Sequence, residues 1–299
     1  MSKKNSSEKR QIRKQRRGKI GAAFLKGMGY LPLKLNRNVG VLLGHCIWMA
    51  KADAVKIAKE NIARCFPEKT HKEQRSLAKQ CIIETAKTAA EAPSIWRQSL
   101  NNYRDLILQV EGQELLVTNE NDRRGVLLLA PHLGNWEMMG PYVAELNDAT
   151  YMYQPSGVDA LDEIIVQGRA KNGATLAPTN RKGVKMLLDR LNSGGLVTIL
   201  PDQVPDDNGG EIAPFFGVPA LTMTLVHKLI RRTQCRVVIG FAKRIPGGFH
   251  FIYKEVDPAI SGEDTGKSLE TMNKAIEALV MLAPEQYQWE YKRFKKISG

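Results

Sequence analysis

The stretch from 125 to 137, Gly-Val-Leu-Leu-Leu-Ala-Pro-His-Leu-Gly-Asn-Trp-Glu, calls for a strand, a tight turn and a helix in quick succession. Val126 to Leu129 is an apolar run of the length that suits a buried strand. Pro131 lacks the N–H that would extend a ladder, and Gly134-Asn135 supplies a turn and a helix N-cap, so a helix should start at Trp136. His132 then sits where the strand ends and Glu137 in the first helical turn. On one unbroken helix, residues five apart are separated by roughly 140° and about 7.5 Å of rise and could not share a proton. With a turn between them, Glu137 can fold back onto one imidazole nitrogen while the other faces a substrate, which is the geometry of a general base held by an orienting acid. Strand ends are also where open α/β sheets bind their ligands. The same residues, read blandly, are a histidine satisfied by loop hydrogen bonds and a glutamate that favours a helix start.

Strand-like and helix-like segments alternate on either side of this block. Strands are expected at 125–129, 149–153, 174–177, 196–200, 236–242 and 249–255, with a hairpin at Ile245-Pro246-Gly247-Gly248 joining the last two. Helices are expected at 53–65, 70–98 with an interruption at Pro93, 136–146, 159–171, 182–192, 221–232 and 267–282. The fold class is therefore α/β, a mixed sheet flanked by helices. The loop 201–217 also follows a buried-looking strand and should reach the same end of the sheet as His132. In it, Asp202 is expected to hydrogen-bond the catalytic loop or an acceptor, and Asp202-Gln203 reads equally as turn-forming residues. Phe215-Phe216 reads as core or pocket wall. Arg169 and Asn172 close the helix that starts near 159, where a cation suits the helix dipole. Arg181 and Lys182 open the next helix, as phosphate ligands or as a solvated helix start.

The block around His132 resembles the His-x4-Glu/Asp motif of glycerolipid-type acyltransferases, and in particular of the lipid A biosynthesis (secondary) acyltransferases of Gram-negative bacteria. Three further segments support the narrower match: Asn61-Ile62-Ala63-Arg64-Cys65-Phe66-Pro67-Glu68; Pro201-Asp202-Gln203-Val204-Pro205 followed by Pro214-Phe215-Phe216-Gly217-Val218-Pro219-Ala220-Leu221-Thr222; and Pro284-Glu285-Gln286-Tyr287-Gln288-Trp289 with the basic tail beyond it. They occur in the family's order from about residue 60 to the end. The resemblance implies a glycerolipid-acyltransferase-like fold with an N-terminal membrane-associating helical segment. It also implies acyl carrier protein as donor and a lipid A precursor as acceptor, with His132 and Glu137 catalytic. The segment Arg169-Ala170-Lys171-Asn172-Gly173 resembles a family stretch near the active site. Arg169, Asn172, Asp202 and Gln203 are accordingly assigned to substrate binding or oxyanion stabilisation.

Charge narrows the partners. Of the net +13, the first 20 residues carry +8, nine cations against Glu8. The apolar runs 20–33 and 39–50 that follow are each shorter than the roughly 18–20 residues needed to span a bilayer. Together these suggest an interfacial or tilted anchor with its basic flank on an anionic membrane surface, in preference to a nucleic-acid arm. We divide the chain into a basic tail and anchor, 1–50, and a catalytic domain, 51–299, on the cytoplasmic face of the inner membrane. The four cysteines form no C-x-x-C, and no metal-ligand spacing occurs, so no cofactor or metal is called for. No G-x-S-x-G is present, so the hydroxyl of the acceptor should attack the thioester directly. The competing readings are an acyltransferase for another membrane glycolipid, a metal-dependent hydrolase, and a non-enzymatic basic protein that binds membranes or nucleic acid.

Overall fold

A computed structural model describes residues 21–118, 122–155, 157–171, 173–206 and 208–294. After helical residues 21–28, three helices come first: α1 (Leu33–Met49), α2 (Asp53–Cys65) and α3 (His71–Arg97). The sheet elements follow as β1 (Ile107–Glu111), β2 (Val126–Leu129), β3 (Ala149–Tyr153), β4 (Thr175–Pro178), β5 (Leu196–Ile199), β8 (Arg236–Ile245) and β9 (Gly248–Glu255), with a separate hairpin of β6 (Gly210–Phe215) and β7 (Val218–Met223). Between them run α4 (Trp136–Leu146), α5 (Asp159–Ala170), α6 (Arg181–Asn192), α7 (Leu225–Thr233) and α8 (Thr265–Val280).

Among the described residues seven strands form one sheet in the order β1-β9-β8-β2-β5-β3-β4. It is mixed: β8, β2, β5, β3 and β4 run parallel, whereas β9 lies antiparallel to β8. Strand β2 is buried at all four positions because both faces are covered. Leu127 and Leu129 face the layer that holds α2, α6, α7 and α8, and Val126 and Leu128 face the layer that holds α4. Helix α3 contributes Cys81 and Ile82 to the first layer and Ile95 to the second. At about 1.5 Å per residue its 27 residues reach roughly 40 Å, enough to pass from one face to the other.

Two local expectations are corrected. Pro93 does not break α3, which continues to Arg97. The lost N–H is offset by tertiary contacts next to the proline: buried Ser94 accepts a 2.5 Å hydrogen bond from Asn36 and its carbonyl accepts one of 2.8 Å from Tyr103. The helix expected over 221–232 begins only at Leu225, because 218–223 is β7, paired antiparallel with β6 inside what reads as a loop. Phe216 and Gly217 both adopt positive φ, 50° and 72°, which is the two-residue hairpin geometry more often carried by Asn-Gly.

The segment expected to be a membrane anchor contains α1, which packs along α3 through Gly40 and Gly44. A Cβ at either glycine would come within 2.6 Å of the α3 backbone at Lys87 or Ile83. No helix among the described residues is long and apolar enough to cross a membrane. Residues 1–20, with the basic run, lie outside the described residues.

Candidate active site

The parallel pairing of β2 with β5 creates the site. Leu129 and Ile199 are partners in register, and Ala130 N donates to Ile199 O at 2.9 Å, so the chains leave the sheet side by side. Three residues beyond each strand end stand His132 and Asp202. Asp202, only 3% exposed, accepts two hydrogen bonds from one residue: His132 N to Oδ2 at 2.9 Å and His132 Nδ1 to Oδ1 at 2.8 Å. Burial alone would push its carboxyl up. The charge of His132 and these hydrogen bonds prevail and hold it below the ordinary value of 3.8.

Because Nδ1 donates to Asp202, the hydrogen-bond network assigns the lone pair to Nε2. Gln203 Nε2 lies 3.2 Å from that nitrogen and donates to Gln288 Oε1 at 3.2 Å. The ring is further confined by Trp136, edge-on at 5.1 Å, and the His132 carbonyl accepts from Gln288 N at 3.0 Å.

Glu137 stands in the first turn of α4, where Asn135 caps the helix by accepting from Met138 N at 3.0 Å. The hydrogen bond expected from Glu137 to the imidazole is made by Asp202 instead. Glu137 is occupied elsewhere: Oε2 accepts from Trp96 Nε1 at 2.7 Å and Arg169 Nε at 3.2 Å, and Oε1 accepts from the Arg169 guanidinium at 2.5 Å. The helix start directs the carboxylate toward α3 and α5, which carry these donors. Burial raises its pKa, but Arg169, Trp96 and the nearby His132 outweigh that and hold it below 4.5. Arg169 therefore does more than close α5, and its guanidinium also lies 5.5 Å from the Tyr153 ring.

This arrangement predicts how Arg169→Ala behaves. Removing one partner of a buried pair costs about 3 kcal/mol, because the remaining carboxylate stays buried without its cation. In the native protein the depressed pKa of Glu137 stabilises the fold above about pH 4.5, and that stability is lost as pH falls through the lower folded value. Without Arg169, burial dominates and the folded pKa moves upward. The folded state then holds its proton more tightly, and stability declines as pH rises past the unfolded value. Thermal melts from pH 4 to 8 should therefore show the largest gap between wild type and Arg169→Ala at neutral pH and a shrinking gap on acidification. A gap constant with pH would mean that the pair is not the source.

Two spaces meet at this site. A mostly apolar pocket is lined by Ile95, Met139, Val143, Tyr151 and Leu200, with Glu137 and Arg169 also on its wall. A larger open cleft is bordered by His132, Trp136, Tyr153, Arg169, Gln203 and Leu225. Arg169 borders both. Of the residues expected at the site, His132, Glu137, Arg169, Asp202 and Gln203 converge, Arg181 and Lys182 are exposed on the first turn of α6, and Asn172 lies outside the described residues.

The role of Trp96 has no signal in the sequence, because an indole near the end of a long helix carries no local sign of a carboxylate partner. The motifs outside the site prove to be packing. Phe66 meets Phe216 at 5.2 Å and Trp289 at 5.4 Å, and Tyr287 meets Trp289 at 4.8 Å. Asn61 Nδ2 donates to the carbonyls of Trp289 and Tyr291 at 2.8 and 2.7 Å. This cluster ties the C-terminal segment to α2 and brings Gln288 against the His132 loop.

Across residues 5–296 the sequence matches the family model described as bacterial lipid A biosynthesis acyltransferase. It is 25% identical over 282 residues to the lipid A biosynthesis lauroyltransferase of Escherichia coli (strain K12), covering 92% of this chain and 90% of that protein. Similarity extends to two further proteins of the same organism. The lipid A biosynthesis palmitoleoyltransferase is 25% identical over 242 residues, covering 80% of this chain and 78% of that protein. The lipid A biosynthesis myristoyltransferase is 24% identical over 285 residues, covering 92% and 86%.

Proposed function

The chain belongs to the bacterial lipid A biosynthesis acyltransferase family, and from that premise we propose that it moves a fatty acyl group from acyl carrier protein to a hydroxyl of the lipid A precursor, with His132 as general base. The observation that carries the mechanism is the bond between His132 Nδ1 and buried Asp202, which leaves Nε2 beside an open cleft and an adjoining apolar cavity.

The hydroxyl of a 3-hydroxyacyl chain on the acceptor gives its proton to His132 Nε2 as its oxygen attacks the thioester carbonyl. Asp202 stabilises the imidazolium and fixes its tautomer. The tetrahedral oxyanion then collapses, the carbon–sulfur bond breaks, and the departing thiolate takes the proton back from Nε2. Base catalysis of this kind supplies about 10²- to 10⁴-fold. The remainder comes from holding two large substrates together and from donors to the oxyanion. Gln203, whose amide is already within 3.2 Å of Nε2, and Arg169, on the wall of both spaces, are the side chains placed for that task.

Glu137 serves through Arg169: it fixes the guanidinium where the cavity and cleft join and adds a negative charge near the imidazolium. The apolar cavity suits the donor's acyl chain, and the wider cleft suits the acceptor. The basic balance of the chain favours encounter with an acidic carrier protein and a phosphorylated lipid.

The same reading places the enzyme on the cytoplasmic face of the inner membrane. Phe24, Tyr30, Leu35, Leu42 and Met49 are exposed along the N-terminal helices, an apolar surface that follows the basic first 20 residues and suits an anionic bilayer.

Direct attack predicts that no acyl-enzyme forms. With radiolabelled acyl carrier protein thioester and a lipid A precursor, the precursor should gain the mass of an acyl group. With the acceptor omitted, denatured enzyme should carry no stoichiometric label. Stable labelling of a serine or cysteine would replace this mechanism with a two-step one.

A further inference from the structure

Beneath the catalytic loop lies a charged cluster that the acyl-transfer steps leave unused. Glu91, on α3, is fully buried, and its carboxylate accepts from elements distant in sequence. Arg37 Nε of α1 donates to Oε1 at 2.6 Å, and Oε2 accepts from Asn135 Nδ2 at 2.7 Å and from the Arg244 guanidinium of β8 at 2.7 Å. Arg244, 7% exposed, also donates to Glu84 at 2.6 Å and to Thr88 Oγ1 at 2.9 Å. Thr88 Oγ1 in turn donates to the carbonyl of Gly134 at 3.1 Å.

The cluster grips the loop at two successive residues, Gly134 and Asn135, between His132 and Glu137. Gly134 has φ 64° and its N donates to Gln286 O at 3.0 Å, while Asn135 N donates to Ala242 O at 2.9 Å. Each polar group of this short turn is thus directed to one partner, and small shifts would misplace the imidazole. Stability alone is a poor account of such a cluster, because well-packed apolar residues commonly stabilise a core as much as a buried ion network does. A network does supply direction. It also links the loop to α1, the helix whose outer face exposes Leu35, Leu42 and Met49.

We propose that Arg37, Glu91, Arg244 and Thr88 are positioning residues for the transfer step, acting on His132 through Asn135 and Gly134, so that docking of α1 on α3 completes the active site. The kinetic part of the test rests on the acyl-transfer reading, so wild-type turnover of the carrier-protein thioester is its reference. A wild type without turnover counts against that donor, and the spectroscopic part then decides the relay.

Arg37→Gln and Thr88→Val are the variants, since Arg37 is partly exposed and Val nearly matches Thr in shape. Each should lower kcat about 10- to 100-fold, the scale of a catalytic group displaced by an ångström, with KM for both substrates within about twofold. Each should shift the ¹⁵N imidazole resonances of His132 and leave those of His71 unmoved. Arg37→Lys should recover most of the kcat. Variants that melt at lower temperature while keeping wild-type kcat and unshifted His132 resonances would overturn the proposal, as would a loss seen only in KM.

Discussion

His132→Ala should lower single-turnover acyl transfer by about 10²- to 10⁴-fold with both substrates saturating, the full contribution of a positioned base. The fold should survive with a specific penalty. Asp202 loses the Nδ1 donor but keeps the backbone N–H of residue 132 and the Tyr287 hydroxyl, so a buried carboxylate is left only partly satisfied, at a cost of about 1–3 kcal/mol. In the wild type the depressed pKa of Asp202 gives stability that is present above about pH 3.8 and lost as pH falls through the lower folded value. The variant should forfeit much of that contribution at neutral pH. His132→Asn, which restores a side-chain N–H, should regain stability without regaining turnover. Transfer by His132→Ala within about tenfold of wild type would remove this residue from the mechanism.

How much of this site the sequence disclosed depends on the distance over which each contact is set. The strand, turn and helix around His132 are local, and Pro131, Gly134 and Asn135 signal them directly; Asn135 does cap the helix that starts at Trp136. The partner of the imidazole is not local. Asp202 reaches it because β5 inserts beside β2, between β2 and its sequence successor β3, and no periodicity in the chain encodes that strand order. The loop after β5 does bring Asp202 to the catalytic loop as the sequence leads one to expect, but spacing alone favours Glu137 as the partner of the imidazole, whereas its carboxylate is claimed by Trp96 and Arg169 on two other helices.

The β6–β7 hairpin was concealed for a different reason. Its turn uses Phe216 at positive φ, a conformation costly for a bulky side chain. Here the Phe216 ring packs on Phe66 and Trp289 at 5.2 and 5.7 Å, and its N donates to Glu277 at 2.7 Å, so tertiary contacts hold what local propensity disfavours. Pro93 within α3 is the same kind of case. The motifs that carried the family resemblance were legible as motifs, but only the packing separates those that serve chemistry from those that join Asn61, Phe216 and Trp289 in the core.

Asp202→Asn should be nearly as damaging as loss of His132, with a loss in kcat of about 10²- to 10⁴-fold, the effect expected when a base is held in the wrong tautomer. The native carboxylate presents one oxygen to each of two donors on the same residue, His132 N and His132 Nδ1. An amide has a single acceptor oxygen. If that oxygen stays on the backbone N–H, the amide NH₂ faces Nδ1, and the ring avoids a donor–donor clash by moving its proton to Nε2. The nitrogen that faces the cleft then has no lone pair with which to take the hydroxyl proton. In the proposed mechanism substrate binding does not use this bond, so KM should change little and kcat and kcat/KM should fall together. The tautomer can be read directly, since ¹⁵N spectra of the histidine should show a protonated Nε2 in the variant and an unprotonated one in the neutral wild type. Asp202→Glu, which keeps two acceptor oxygens but lengthens the arm, should retain the wild-type tautomer and lose activity through displacement alone. An Asp202→Asn enzyme with an unprotonated Nε2 and turnover within about threefold of wild type would show that the buried carboxylate holds the loop without directing the base.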